Sequence, residues 1–341
     1  GPGSALNVAP DLLNDGPRWP DGAQFAFTVF DDTDFATLQN VPLVYDLLTD
    51  LGLRVTKSVW PAGTRRPAHT TGSTCDEPAY LDWVLRLQEA GHELGYHNAT
   101  DHSSTRSETI AALDRFQDLF GHDPRTGADH SGNREALCWG PDRLTGPRAR
   151  AYRRALALAR PGQPFGEGAV PSSPYFWADV LRDRIDYWRN FSFHEIDTLA
   201  ACPTMPYHDP RHPYVNRWFA ASHAPHREPF LDLVHPDSLD RLEAAGGACI
   251  VYTHFGVEFV EDGVLHPGFV QVMEGLAERR GWFVPVATLL DHLRAQPGHH
   301  DLLSDRARAR MENRWALDHL RTRARSELAK ARTRRTEVRS T

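Results

Sequence analysis

The sequence predicts an α/β fold built on a parallel sheet, and three observations predict it. From residue 24 to residue 120, apolar β-prone runs alternate with segments whose apolar residues recur at helical spacing. The same alternation returns between residues 238 and 295. The chain has 341 residues, of which 40% are hydrophobic, so a large core is available. The order β-α-β-α-β-α favours parallel strands joined by right-handed crossovers.

The first half of the chain supplies the clearest elements. The stretch QFAFTVFDDTD, residues 24–34, begins as a strand and ends in the acidic cluster Asp31, Asp32 and Asp34. Two patterns predict the elements that follow. Apolar residues at helical spacing that end at a glycine indicate a helix, and alternating apolar and polar residues with β-branched side chains indicate a strand. They are a helix over 38–52, a strand over 53–59, a helix over 79–90, a strand over 92–96 and a helix over 105–120.

The second half of the chain is less regular. Residues 125–237 are rich in Trp, Pro, His and Tyr, a pattern that predicts long loops shaping a pocket or covering a core edge. Regular elements then return, with helices over 238–245, 267–280 and 287–295 and strands over 248–253 and 282–285. Residues 307–335 predict an Arg-rich helix with a thin apolar stripe.

Composition excludes several classes of protein. The formal net charge of −7 does not favour nucleic acid as a partner, although residues 305–341 carry about +7 of their own. The four cysteines form no CxxC pair and predict reduced thiols. No apolar run reaches 18 residues, so no membrane span is expected.

We expect three regions. Residues 1–23 are a polar lead-in that begins with GPGS, which is typical of a tag remnant and leaves open whether a native leader was removed. Residues 24–296 form the catalytic domain, and residues 297–341 form a basic helical tail at the periphery. The tail is a candidate contact for a homo-oligomer or an acidic partner. The unpaired cysteines and the lack of a signal peptide favour the cytoplasm.

Two motifs at strand ends suggest a metal site. Asp31 and Asp32 end the first strand, and His97 and His102 lie in HNATDH directly after a later strand. Adjacent aspartates are tolerable when a cation sits between them, and two imidazoles with a carboxylate are a common open zinc site. Because the carboxyl ends of parallel strands open onto one face, we expect both motifs to meet there. Asp101 is an alternative to His102, as a ligand or as a group orienting an imidazole.

A third element is His254, at the end of the apolar run ACIVYTHFG. It is predicted to lie on the same face of the sheet. Histidine titrates near neutrality, so His254 is a candidate general acid for a leaving amine.

This set of motifs resembles the polysaccharide deacetylases of carbohydrate esterase family 4, the NodB-like family. TVFDD, HNATDH and YTHFG match that family's three motifs in order and type over residues 24–293. The resemblance implies a distorted (β/α) barrel, here with long aromatic-rich insertions and a C-terminal basic helix. It also implies a metal-dependent deacetylase with Zn²⁺, or another divalent ion such as Co²⁺, Mn²⁺ or Ni²⁺.

The resemblance also implies a role for each motif residue. Asp31 is the general base, His254 is the general acid, and the metal ligands are Asp32, His97 and His102. Three departures point to a divergent branch. The histidines are five apart instead of four, Thr33 and Asp34 follow the aspartate pair where the family has a glycine, and the Arg-x-Pro-x-Gly motif is replaced by GADHSGNREALCWG.

Further residues are candidates for contact with the substrate. They are polar side chains near the motifs and aromatic side chains that can stack on a sugar face. The candidates are Asp34, His130, Asn133, Arg134, Trp139, Tyr207 and His208, with Asp209, Tyr175, Trp177 and Trp218 as further pocket or stacking residues.

Three functions are compatible with these residues. The first is removal of an acetyl group from an N-acetylated sugar or glycoconjugate, preferably a small soluble one held in a closed pocket. The second is hydrolysis of a non-sugar amide C–N bond on the same scaffold. The third is a binding module without catalysis, which the complete set of motif residues disfavours.

Overall fold

The fold is described from a computed structural model of the chain. The structure describes residues 19–63, 66–67, 70–138, 140–159 and 166–339, with the side chains of the last helix described as far as residue 322. Within these ranges, no helix combines the length and the apolarity that crossing a membrane requires. The four cysteines are buried free thiols.

Seven parallel strands form a closed barrel. In chain order they are β1 (Phe25–Asp31), β2 (Thr56–Val59), β3 (Glu93–Tyr96), β4 (Thr126–Gly127), β5 (Tyr187–Phe193), β6 (Arg217–His223) and β7 (Ala248–Thr253). Each pairs with the next, and β7 pairs with β1 to close the ring. The short β8 (Val260–Glu261) and β9 (Val264–Leu265) form a hairpin, and β10 (Gly281–Trp282) pairs with the start of β1. This confirms the predicted (β/α) barrel.

Helices surround the barrel and follow most of its strands. They are α1 (Val41–Asp50), α2 (Pro78–Glu89), α3 (Arg106–Phe120), α4 (Gly146–Ala159), α5 (Ala178–Arg184), α6 (Thr198–Ala201), α7 (Arg227–Leu233), α8 (Pro236–Ala245), α9 (Pro267–Ala277), α10 (Val286–Arg294) and α11 (Asp305–Arg339). Local signals set the ends of α3, because Thr105 and Glu108 form a capping box and Gly121 ends the helix in the left-handed conformation.

The strand β1 lies at the centre of the core. All seven of its residues are buried, since helices cover its outer face and the opposite strands cover its inner face. Its side chains alternate between these two environments. Phe30 faces Phe219 of β6 across the barrel, at 6.0 Å between ring centroids. Asp31 instead points towards α1, where it meets Tyr45.

The irregular middle predicted for residues 125–237 is wrong in part. This segment contains β4, β5 and β6, which complete the barrel. The aromatic residues Trp177, Tyr207 and Trp218 are buried in the core. The pattern was obscured because the adjacent polar residues Arg189 and Asn190, which line the cavity, interrupt the aromatic residues of β5.

The first turns of α11 pack against the barrel. Met311 and Trp315 are buried in the core, and Glu312 accepts hydrogen bonds from Thr145 and Arg148. Residues expected to form a peripheral tail therefore contribute to the core. Further along, Leu317 is exposed, so a homo-oligomer contact through this helix remains a prediction.

Candidate metal and active site

Ionisable side chains gather where the barrel strands end. Asp31 is the last residue of β1 and His223 the last of β6, while His97 and His254 directly follow β3 and β7. The carboxyl ends of parallel strands lie at one edge of the sheet, so residues far apart in sequence meet there. The three neighbouring aspartates nevertheless have three different environments.

Asp31 is enclosed by protein and does not line the cavity at this edge. Its carboxylate accepts hydrogen bonds from the Tyr45 hydroxyl and the Phe255 amide, both at 2.8 Å. The ammonium group of Lys57 lies 3.4 Å away, and neither charged side chain is exposed. Burial raises the pKa of Asp31, although Lys57 opposes the shift. This arrangement stabilises the fold and leaves the predicted base without access to a substrate.

Asp32 faces the cavity and is paired with Arg189. The guanidinium donates two hydrogen bonds to the two carboxylate oxygens, at 2.8 and 2.7 Å. Arg189 itself lies between the rings of Phe30 and Tyr252, 5.1 and 4.3 Å from their centroids. Burial alone would raise the pKa of Asp32, but the charge and hydrogen bonds of Arg189, together with the nearby His97 and His254, lower it. Asp32 is therefore ionised and firmly oriented.

Asp34 is surrounded by three imidazoles. Its Oδ1 lies 3.2 Å from Nε2 of His97, and its Oδ2 lies 3.5 Å from Nε2 of His130 and 3.4 Å from Nε2 of His254. Asp34 Oδ1 is nevertheless a buried oxygen that accepts no hydrogen bond of acceptable geometry. A buried carboxylate oxygen without a donor is rare and calls for a bound cation or water.

Main-chain carbonyl groups orient two of these imidazoles. Nδ1 of His97 lies 3.1 Å from the carbonyl oxygen of Ala128, and Nδ1 of His254 lies 2.6 Å from that of Pro225. A carbonyl oxygen only accepts, so both Nδ1 atoms must carry a proton and donate it. In the neutral rings, the lone pairs on Nε2 are then directed towards Asp34.

A buried amide orients the third imidazole. Nδ2 of Asn133 donates to Glu135 at 2.8 Å and to the carbonyl oxygens of Thr100 and His102 at 3.1 and 3.2 Å. Its Oδ1 must therefore be the atom that lies 2.9 Å from Nδ1 of His130. His130 thus donates through Nδ1 and presents Nε2 to Asp34. The hydroxyl of Thr70 lies 3.0 Å from the same Nε2 and competes for it.

The electrostatics of this cluster favour an added cation. Burial opposes protonation of His254, but its hydrogen bond to Asp34 and the charge of Asp32 raise its pKa to about 9. The pKa of His130 is also raised, against the effect of burial, by Asp34. Burial would raise the pKa of Asp34, but the neighbouring imidazoles hold it far below its usual range. The raised pKa values of the two histidines reflect the negative potential of the carboxylates, which attracts a proton or a metal ion, and the lowered pKa of Asp34 keeps that carboxylate ionised.

The donors suit a divalent metal ion. Within the described residues, one group of potential ligands has all its donor atoms within 4.8 Å of one another, and it consists of Asp34, His97 and His130. Two imidazole nitrogens and one carboxylate oxygen are a typical open zinc set. The buried Asp34 oxygen without a hydrogen bond and the orientation of both imidazoles fit such an ion.

The cavity beside this cluster has a volume of about 200 Å³. Every lining residue that the structure describes has a polar or ionisable side chain. The lining residues are Asp32, Asp34, His97, Asp129, Ser131, Arg143, Arg189, Asn190, Ser192, His223, Tyr252 and His254. Burial lowers the pKa of Arg143 and raises that of Asp129.

Several residues predicted from the sequence lie elsewhere. Neither His102 nor Asp101 belongs to the ligand group. Nδ1 of His102 lies 3.4 Å from the carbonyl oxygen of Ser103. Arg134 is paired with Glu167 and does not line the cavity.

Two further candidates for substrate contact are not in the cavity either. Tyr207 is buried in the core, and His208 contacts the carbonyl oxygens of Val215 and Asn216. Trp139 lies outside the described residues.

Five of the residues that line the cavity were not predicted from the sequence, namely Arg189, Arg143, Asp129, His223 and Tyr252. Four of these lie on or just after β4, β5, β6 and β7, and three of those strands fall in the segment interpreted as loops. A signal was present, because an arginine within an aromatic strand such as YWRNFSF needs a buried counter-charge.

Several solved structures align with most of this chain at low sequence identity. A polysaccharide deacetylase candidate from Mycobacterium smegmatis is 13% identical, with 84% of this chain and 96% of that chain covered and a TM-score of 0.48. PuuE allantoinase is 13% identical over 86% of this chain and all of its own, with a TM-score of 0.46. A cobalt complex of a family 4 acetyl xylan esterase from Clostridium thermocellum is 13% identical over 80% and 92%, with a TM-score of 0.38.

No protein-family profile matches the chain, and no curated protein matches its sequence. Polysaccharide deacetylases recur among the solved structures that align with the chain.

Proposed function

We propose that this protein is a metal-dependent hydrolase that removes an acetyl group from a small N-acetylated molecule, with an amino sugar or glycoconjugate as the first candidate. The observation that supports it most is the convergence of Asp34, His97 and His130, with Asp32 and His254 beside them. In this proposal, Asp34, His97 and His130 hold the ion. Zinc is the first expectation by ligand type, with cobalt, manganese or nickel as alternatives.

The proposed ligand set differs from the one that the motif resemblance implies. Asp34 takes the place of Asp32, and His130 takes the place of His102. Both replacements follow from contacts, since Asp32 is bound by Arg189 and His102 lies outside the cluster.

The two remaining groups divide the proton transfers. A divalent ion, when bound, polarises an acyl carbonyl and acidifies water. Asp32 is ionised, held by Arg189 and accessible from the cavity, so we assign it the role of general base. His254 lines the same cavity, and we assign it the role of general acid that protonates the departing amine.

The cavity favours a small substrate over a polymer. The cavity, with a volume of about 200 Å³, accommodates a single small unit near the proposed ligands. Apart from Ser131, the residues that line it are buried or partly buried. Within the described residues, Tyr252 is the only Trp, Tyr or Phe in the lining, so the expected sugar-stacking surface is not part of it. This observation favours the second candidate, hydrolysis of a non-sugar amide C–N bond.

Cobalt substitution tests the metal site without an activity assay. We expect about one Co²⁺ per chain, with a visible d–d spectrum typical of a mixed nitrogen and oxygen site. His130→Ala should abolish this spectrum, and His102→Ala, the matched control, should retain it. A binding module without metal would show no spectrum in the wild type. The opposite result for the two variants would restore His102 as the ligand.

Acetate release then identifies the substrate class. The metal-loaded protein is offered N-acetylglucosamine, chitin oligomers and N-acetyl amino acids, and free acetate is measured. Faster release from long oligomers than from every small substrate would contradict the proposal of a small substrate. Release from the amino acids alone would select the non-sugar candidate.

A further inference from the structure

Three polar side chains that line the cavity have no role in the proposed chemistry. They are Ser192 near the end of β5, His223 at the end of β6 and Tyr252 in β7, and each is partly exposed. The proposed metal ligands follow β1, β3 and β4 instead. The three side chains are therefore placed to contact the part of a substrate that lies beyond its acetyl group.

His223 has one ring nitrogen that is held and one that is available. Its Nδ1 lies 3.1 Å from the hydroxyl oxygen of Ser192, and its Nε2 has no hydrogen-bond partner among the residues that the structure describes. Burial, together with the neighbouring His194 and Arg189, lowers the pKa of His223 to about 3. The imidazole is therefore neutral near pH 7. Because the Ser192 hydroxyl can donate or accept, Nε2 of His223 can take either role towards a ligand.

The Tyr252 hydroxyl is a second uncharged group on this side of the cavity. Its ring is fixed by the guanidinium of Arg189, 4.3 Å from the ring centroid, and by the imidazoles of His223 and His254, whose centroids lie 5.5 and 5.3 Å away. Burial raises the pKa of Tyr252, so the hydroxyl keeps its proton. Within the described ranges of the chain, this hydroxyl makes no hydrogen bond.

Uncharged groups of this kind suit a hydroxyl group on the ligand. A hydroxyl has one donor and two acceptor sites, so it can pair with Tyr252 and with either tautomer of His223. An apolar group in the same place would displace water and leave both protein groups without a hydrogen bond. A site built in this way discriminates strongly against an analogue that lacks the hydroxyl.

We infer that His223 and Tyr252 form a subsite that binds a hydroxyl group of the substrate while the acetyl group lies at the proposed metal ligands. This inference rests on the proposed function, whose substrate it makes more specific. Ser192 is then a positioning residue, because it holds the imidazole through Nδ1. Hydrogen bonding, in place of stacking on an aromatic face, would select the substrate.

Four neutral acetamides that differ by a single hydroxyl test the inference. They are N-cyclohexylacetamide and its trans-2-hydroxy, trans-3-hydroxy and trans-4-hydroxy derivatives. With zinc-loaded wild type, we expect kcat/KM for at least one hydroxy derivative to exceed that for the parent by about tenfold or more. The preferred derivative locates the hydroxyl relative to the acetamido group. Equal values for all four compounds would overturn the inference while leaving a metal-dependent hydrolase.

Matched variants connect the preference to the subsite. Tyr252→Phe removes only a hydroxyl, and His223→Phe removes both ring nitrogens. At least one of them should abolish most of the preference, mainly through KM, and His223→Asn should retain more of it than His223→Phe. Tyr187→Phe, which removes a hydroxyl that donates to Asp291 outside the cavity, should keep the wild-type preference. An undiminished preference in both Tyr252→Phe and His223→Phe would overturn the inference.

Binding measurements separate this inference from the proposed function. If the zinc-loaded wild type hydrolyses none of the four compounds, calorimetric titration compares their binding to it. A hydroxy derivative that binds about tenfold more tightly than the parent, and loses this advantage in Tyr252→Phe or His223→Phe, would support the subsite and count against the hydrolase. Equal binding of the four compounds, or no binding of any, would overturn the inference.

Discussion

Replacing Asp31 by asparagine should destabilise the protein without removing its metal. The substitution keeps the shape of the side chain but leaves the ammonium of Lys57, 3.4 Å away, buried without its counter-charge. Breaking a buried ion pair from one side typically costs about 3 to 5 kcal/mol. The hydrogen bonds from Tyr45 and Phe255 were made to a carboxylate and should weaken as well.

The assay is denaturant unfolding together with metal analysis of the folded variants. Asp34→Asn should lose the metal and lower the free energy of unfolding of the metal-free protein by less than Asp31→Asn does, because among the described residues the ion-pair partners of Asp34 are histidines and not a lysine or an arginine. The double variant Asp31→Asn/Lys57→Met should recover much of the lost stability, since it removes both charges. If Asp31→Asn instead unfolds like the wild type, keeps its metal and loses turnover, then Asp31 is the general base and our assignment of Asp32 is wrong.

Three further predictions concern positioning, packing and pH. Asn133→Leu should weaken zinc binding by about 10- to 100-fold in a chelator competition, while Asn133→Asp, which keeps an acceptor for His130, should lose less; equal losses would contradict the orienting role. Trp315→Ala should lower the free energy of unfolding by about 3 to 5 kcal/mol, whereas Leu317→Ala, at an exposed position, should change it little. Equal effects of the two substitutions would indicate that α11 does not contribute to the core. Burial lowers the pKa of His92 to about 4. As the pH falls from 6.5 to about 4, the unfolded chain therefore binds a proton that the folded chain does not, and the free energy of unfolding should decrease by ~3 kcal/mol. In His92→Gln, the free energy of unfolding should depend less on pH over the same range.

Sequence patterns predicted the parallel sheet because its clearest strands are buried on both sides, and the resemblance of the motifs to a known family predicted that the sheet closes into a barrel. The uniformly apolar β1 and β7 were recognised from their composition, and β7 was predicted with its observed bounds, Ala248–Thr253. The strand β5 was missed because several of its side chains line a polar cavity. Arg189 and Asn190 interrupt an aromatic strand, and this gives a pattern that resembles a loop.

The same physical reasons limited prediction of the site. The sequence indicated that the ends of β1, β3 and β7 meet, and the structure places His97 and His254 together there. It could not indicate which aspartate faces the cavity. Successive residues point to opposite faces of a strand, so a shift of one residue exchanges the buried Asp31 for the accessible Asp32. Only the contacts with Lys57 and Arg189 decide between them.

The position of Asp34 depends on the turn after β1. The Phe35 amide donates to the carbonyl oxygen of Thr71 at 2.7 Å, and Phe35 adopts a positive φ of 61°. This turn directs Asp34 back over the mouth of the barrel, where it meets His97 and His130. A local motif of two adjacent aspartates carries no information about such a turn.

The proposed ligand set therefore differs from the motif in both its carboxylate and its second imidazole. A barrel brings the ends of several strands to one place, so a histidine after β4 can supply the nitrogen that a second histidine after β3 would otherwise supply. Asn133 and Glu135 make this replacement effective, because they hold Nε2 of His130 towards Asp34. In the proposed site, the ends of different strands thus supply the ligands. The proposed set follows the hydrogen bond that orients each imidazole and not the spacing of histidines within one motif.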